Sequence, residues 1–498
     1  MMVENRDALL SGLAAIASLV SDRPMGKAEM VDETELLPRT LPIQTHLNAL
    51  DPDILLITGG RGAGKSHLFR VINLPQGPQI LGYQGRAAEG WWLPGFTTRG
   101  TIHGLNFPGE TILQRFAAGK SRTDLMDFWR GLLVGSILGS TTPAAEFLRR
   151  QLPADLHGAL SHLERVSDWH IGVVQHLEDV DTALNRLDSF LVEQQRYLFA
   201  TYDDLDVMAV EWDEKRSLIQ ALLQFWLGQW RRWQRIRPKI FLRRDLFAPE
   251  FLNFPDASKL TGHQFELIWT PIQLYQLVFK LWGNQGDECR LYLEQAGLRF
   301  EQRDRLGWIY AAPWPKEDDL RKVVEKMMGQ FMGAGPTKGR TFEWPPNHLQ
   351  DANREIVPRS MLNLFALAAQ YERERSGSGD LVLSPTSFAA AIKQVSELRI
   401  KELVEEEYPW LTALRDPLDG QKVPMQRQQL LEILQGIDWQ AMEHRPPSTD
   451  PDKLLDHLLS LGILRRTQDQ RIHVPDIYLY GFNLRRKGGI RRPAAADR

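Results

Sequence analysis

Three short apolar runs stand out against an otherwise amphipathic chain. Ile54-Leu-Leu-Ile-Thr58 has no polar alternation, which is the pattern of a strand covered on both faces. Arg196-Tyr-Leu-Phe-Ala-Thr-Tyr202 repeats the pattern and ends in acids, and Lys239-Ile-Phe-Leu-Arg243 follows Pro238. Helical stretches separate them, among them Leu125 to Leu138 and a long segment from about Glu214 to Arg235 that carries Trp226, Trp230 and Trp233. Strands alternating with helices predict a parallel three-layer α/β domain. Beyond Leu267 the pattern is helical to about Lys401, broken by Gly333 to Pro346 and by Ser376-Gly-Ser-Gly379. From about Pro424 it runs helix, polar turn, helix (Asp452 to Leu461), Gly462, then strand candidates at Ile463-Leu464 and Arg471 to Val474, the order of a winged helix. The expected organisation is an N-terminal helix and linker (1–39), an α/β core (40–262) with a helical insertion at about 80–175, a helical lid (263–410), a winged-helix-like module (411–484) and a basic tail (485–498).

Composition narrows the class. A chain of 498 residues has room for about three domains. Lysine and arginine total 60 against 63 acids, a net charge of -3, so no global positive field draws the chain onto nucleic acid. Cys289 is the single cysteine, which excludes a disulfide scaffold and a thiolate metal cluster and points to a reducing, cytoplasmic setting. The apolar stretch from Ala8 to Val20 has the length of a signal-peptide core, but Glu4, Arg6 and Asp7 make its flank acidic. It reads instead as an exposed or partner-binding helix. No stretch reaches the roughly 18 to 20 uncharged apolar residues of a bilayer span, so a soluble protein is expected.

The chemistry is concentrated after the first apolar run. Gly59-Gly60-Arg61-Gly62-Ala63-Gly64-Lys65-Ser66 satisfies G-x-x-x-x-G-K-[ST] and is followed by a helical stretch beginning at His67. Glycines let backbone N–H groups turn inward around phosphate oxygens, Lys65 reaches the terminal phosphates, and the Ser66 hydroxyl ligates Mg²⁺. At the end of the second run, Asp203 and Asp204 supply one carboxylate for Mg²⁺ and one to polarise an attacking water. Asp206 reads as a capping or orienting residue. The pair of motifs implies ATP as substrate, Mg²⁺ as cofactor, and hydrolysis.

These residues resemble the AAA+, STAND and KAP-like P-loop ATPases, whose acidic strand often reads D-D-L-D. The resemblance covers about 40–262 and, more loosely, the helical lid to about 375. It implies a phosphate-sensing residue at the end of the next strand, where Arg243-Arg244-Asp245 stands in place of the usual Asn or Thr and leaves open which arginine faces the nucleotide. It also implies a lid-helix arginine, matched by Val357-Pro358-Arg359. Lys65 and Asp203 are 138 positions apart, longer than in simple members, which is the reason for expecting an insertion. Arg231, Arg232, Arg235 and Arg237 are candidates for a trans-acting finger or a basic helix face.

The resemblance implies a homo-oligomer and a conformational switch. In biological role the first expectation is a defence-type regulator acting through a separate effector protein. The alternatives are a DNA-binding ATPase of the origin-recognition or transposition-regulator type, and an ATP-binding scaffold without turnover. DNA contact is expected at the winged-helix-like module and the tail, where residues 485–498 hold six cations against Asp497, a net of +5.

Overall fold

The computed structural model describes residues 5–20, 33–98, 103–208, 212–247, 254, 256–375, 380–406 and 408–487. Residues 376–379 and the tail from 488 onward therefore lie outside the described residues. The chain forms two compact units. Met1–Arg23, which carries helix α1 (Arg6–Val20), joins Ile268–Arg498 in one, and Pro24–Leu267 makes the other.

The Pro24–Leu267 unit is an α/β domain on a five-stranded sheet. In chain order its principal elements are β1 (Leu56–Gly59), α2 (Lys65–Ile72), β2 (Trp91–Phe96), α3 (Arg122–Leu138), β3 (Leu198–Tyr202), α4 (Trp212–Trp230), β4 (Ile236–Arg243) and β5 (Gln264–Glu266). The strand order is β2-β3-β4-β1-β5 and every pairing is parallel, so all five carboxyl ends share one edge. β1 and β3 are buried at every position, as their uninterrupted apolar runs require.

Strand β2 corrects the sequence reading, which placed only a helical insertion from about residue 80. It contains Pro94 and Gly95 and follows Gly90, residues unfavourable in a strand interior, yet proline is tolerated on an edge strand, and β2 is the edge. The glycines are needed for close approach: a Cβ on Gly90 would stand 2.9 Å from the Phe199 ring, and one on Gly95 would stand 2.7 Å from Tyr202. Trp92 stacks on Phe199 with ring centroids 4.0 Å apart. The helices of the insertion follow from Glu110 and share one core with the sheet, built around Trp129, Trp169, Trp226 and Trp233. A capping box between Ser121 and Asp124 starts α3.

Two buried polar groups anchor β4, one at its start and one within it. The Asp188 carboxylate accepts N–H bonds from Gln234, Arg235 and Ile236 at 2.8, 2.7 and 3.0 Å. The ammonium of Lys239, fully buried, donates to the carbonyls of Ala49, Asp51 and Ile54 at 2.9, 2.5 and 2.6 Å. The four arginines considered for a finger lie at this amino end of β4, away from the loop after β1. Each has an intrachain contact: Arg231 with Asp256, Arg232 with Asp181, Arg235 over Tyr197 and Arg237 over Trp230.

In the other unit α1 is not exposed, contrary to its sequence reading. Leu9, Leu10, Leu13 and Ile16 are all buried, because the apolar stripe that resembled a signal core finds its partner within the chain. Helix α5 (Pro358–Glu374) supplies Glu372, whose carboxylate accepts from Arg6 at 2.7 Å, and Trp282 donates its indole N–H to the Leu9 carbonyl at 3.1 Å. A Cβ on Gly12 would stand 2.5 Å from the Cys289 sulfur, so glycine lets the helix sit close to that buried thiol. Helix α6 (Pro385–Glu406) follows, then α7 (Arg427–Gln435), α8 (Pro451–Ser460) and an antiparallel hairpin of β6 (Arg465–Arg466) and β7 (Ile472–His473), with Met425 bridged to Ile472. Among the described residues no helix is long and apolar enough to cross a membrane.

Candidate nucleotide site

Strand β1 delivers Gly59 to the carboxyl edge, and the chain turns at once into α2. The turn needs left-handed backbone at Gly62 (φ 77°) and Gly64 (φ 97°), conformations that cost side-chain-bearing residues energy. Gly59 is confined differently, since a Cβ there would meet the Leu267 carbonyl at 3.2 Å and Ala63 at 3.3 Å. Lys65 opens α2, and its ammonium curls back to donate to the carbonyls of Gly59 and Gly60, both at 3.0 Å. Ser66 follows, half-buried, on the first turn. His67 Nε2 and the Thr40 hydroxyl lie 2.8 Å apart, which ties the helix to the segment before β1.

Strand β3 ends two places across the sheet from β1 and carries Asp203 and Asp204, both buried. Asp203 is held at the edge by its N–H, which donates to the Phe96 carbonyl at 3.0 Å. Asp204 takes a left-handed conformation (φ 59°), tolerated by aspartate, and its Oδ2 accepts the Thr97 hydroxyl at 2.7 Å. Thr97, just past the unforeseen strand β2, is a site residue that the sequence pattern did not reveal.

Strand β4 lies between β1 and β3, and its last residue, Arg243, is paired in register with Gly59. The guanidinium is buried and forms a two-pronged bond to Asp245, Nε to Oδ1 at 3.0 Å and Nη2 to Oδ2 at 2.8 Å. The neighbouring arginine is paired elsewhere: Arg244 binds Glu266 on β5. Asp206 stands 3.6 Å from Arg243 Nη1. Burial pushes its carboxyl up, but Arg243, Lys65 and Arg61 outweigh that and hold it below the usual carboxylate range. Asp206 thus lies within reach of the charges of Arg243 and of Lys65 and Arg61. Lys215, near the start of α4, is a second group the pattern missed. Burial lowers its pKa, and the charges of Asp206, Arg243, Glu110 and Asp245 all bear on it.

Arg359, the expected lid arginine, belongs to the Ile268–Arg498 unit, where it starts α5 and pairs with Glu402 on α6 at 3.6 Å. Among the described residues no cluster of three or more His, Cys, Asp or Glu side chains could hold a metal. The hard oxygen donors Ser66 and Asp203 suit Mg²⁺ shared with substrate phosphates, a cation that keeps few protein ligands.

No family model and no curated protein sequence matches the chain. Among solved structures it is similar to the ADPNP-ADP complexes of the Aeropyrum pernix ORC2 protein, at 14% identity over 93% of this chain and 96% of that one, with a TM-score of 0.34. It is also similar to CDC6P from Pyrobaculum aerophilum, at 13% identity over 94% and 96% of the two chains and a TM-score of 0.29. Scores this low transfer no function, and the chemistry rests on the residues above.

Proposed function

We propose that this chain is a Mg²⁺-dependent ATPase whose nucleotide lies along the carboxyl edge of the sheet. The observation that supports it most is the order of the three strand ends: β1 with the phosphate loop and Lys65, β4 with Arg243, β3 with Asp203 and Asp204. Adjacent strands are about 4.8 Å apart, so the acids stand roughly 10 Å from the loop, room for a terminal phosphate and an attacking water between them. Backbone N–H groups of Gly60 to Lys65 and the start of α2 cradle the phosphates. Lys65 exchanges its two carbonyls for phosphate oxygens. Ser66 and Asp203 are the groups that would hold Mg²⁺, which when bound neutralises phosphate charge. Asp204, oriented by Thr97, accepts a proton from the water, and Arg243 stabilises charge on the transferred group.

We read the output as a conformational switch or assembly step passed to a partner, either further copies of the chain or a separate effector protein, as in the STAND and KAP-like regulators it resembles. The DNA-binding reading is supported by the tail of net charge +5. The helix and hairpin segment adds no field of its own: residues 450–473 hold four acids and four cations. Five of those eight charges are already paired, Arg466 with Asp456, Arg471 with Asp469, and Asp452 with Arg427.

The deciding experiment measures ATP binding and hydrolysis by the full chain and by Asp204→Asn, with Mg²⁺, with and without duplex DNA. The wild type should hydrolyse ATP, and the variant should bind it within about threefold while turnover falls by about 10²-fold or more. Unchanged turnover would remove Asp204 from the chemistry. A wild type that binds no ATP would sink the whole reading, and a DNA-stimulated rate would favour the DNA-handling role.

A further inference from the structure

Asp206 occupies an unusual place for a carboxylate. Arg243 presents a rigid fork of five N–H donors, of which Nε and Nη2 are engaged by Asp245, and the remaining edge, at Nη1, faces Asp206 Oδ2 at 3.6 Å. That separation is an ion pair and too long for a hydrogen bond, so the attraction is easily exchanged for a shorter one. Arg243 is also next to Gly59 in register, beside the loop that takes the phosphates. The charges of Lys65 and Arg61, both on that loop, bear on the same carboxylate.

We propose that Asp206 is an internal anion that competes with the γ-phosphate of ATP for Arg243, and so sets the preference of the site between triphosphate and diphosphate. The proposal rests on the nucleotide-site reading above and deepens it. The α- and β-phosphates are met by the loop amides and Lys65, which ADP satisfies as well as ATP. Only the γ-phosphate extends toward the end of β4. There it meets a guanidinium that Asp245 holds through Nε and Nη2, and a carboxylate of its own sign. Binding ATP therefore requires Arg243 to trade Asp206 for phosphate, whereas binding ADP leaves the pair intact. Asp206 acts through Arg243 and is a positioning residue.

Asp206→Asn keeps the shape and removes the charge. Isothermal titration of the full chain with a non-hydrolysable ATP analogue and with ADP, each with Mg²⁺, should show the ratio of the two affinities moving about tenfold toward the analogue, with ADP changing much less. In an Arg243→Gln background the same substitution should leave the ratio unmoved. A purely structural role would weaken both ligands together. An unchanged ratio, an equal shift for both ligands, or a shift that persists without Arg243 would each overturn the proposal. Should the asparagine variant fold poorly, Asp206→Ser also removes the charge and carries the same expectation. A wild type that binds neither nucleotide refutes the underlying site instead, so the two failures are distinguishable.

Discussion

Lys239→Met tests how the sheet is held in place under the nucleotide site. The substitution keeps most of the side chain's length and apolar bulk and deletes an ammonium that donates to Ala49, Asp51 and Ile54. Each buried carbonyl that loses a donor costs about 1–3 kcal/mol, though the Asp51 carbonyl also accepts the Ile54 N–H at 2.9 Å and loses least. Relief of the buried charge returns several kcal/mol of desolvation, so a net loss of about 3 kcal/mol is expected. For a unit of this size that is about 6–12 °C in the melting of the Pro24–Leu267 unit.

The pH dependence has a definite sign. Burial depresses the Lys239 ammonium well below the ordinary lysine range, against the smaller opposing pull of Asp51 and Asp53. Between the folded and unfolded pKa values the unfolded chain binds more protons, so the wild type gains stability as pH rises through that interval toward about 10.4. Below the folded value the cost of the buried charge is fully present. The gap in melting temperature between wild type and variant should therefore widen as pH rises through that interval, read by calorimetry or circular dichroism. A variant melting within about 2 °C of wild type, with no widening at high pH, would refute the reasoning.

Lys65→Ala should weaken ATP binding by about 10²-fold or more, because it removes the loop's ammonium, and should leave the melting of the protein without nucleotide nearly unchanged. Equal ATP affinity in a titration would contradict it. Thr97→Val is nearly isosteric and takes a hydroxyl donor from the buried Asp204 carboxylate; turnover should fall about tenfold with ATP affinity within about threefold. An affinity loss as large as the rate loss would show that Thr97 supports binding and not the orientation of Asp204.

Local rules carried much of the site. A glycine pattern that demands left-handed backbone at Gly62 and Gly64, set against an unbroken apolar run, names a strand, a loop and a helix start without further context. Two acids at the end of a second apolar run likewise name an edge where carboxylates collect. What local pattern could not carry was anything decided by a neighbour distant in sequence. Trp91–Phe96 is a strand because β3 lies alongside it, and its proline would forbid a central place and permits an edge one. Helix α1 has the same apolar stripe whether it faces solvent, a partner or α5, and only packing chose α5.

The same division runs through the charges. The sequence by itself carried the proposal that Lys65, Ser66, Asp203 and Asp204 belong to one chemistry, since the spacing of each motif and the strand that carries it are local. Tertiary structure decided what each charge meets: Arg243 on Asp245 and Asp206, Arg244 on Glu266, Thr97 on Asp204, and Lys239 among three carbonyls. Coulomb and hydrogen-bond energies depend on separation and on exclusion of water, and neither is set until strands far apart in the chain lie side by side.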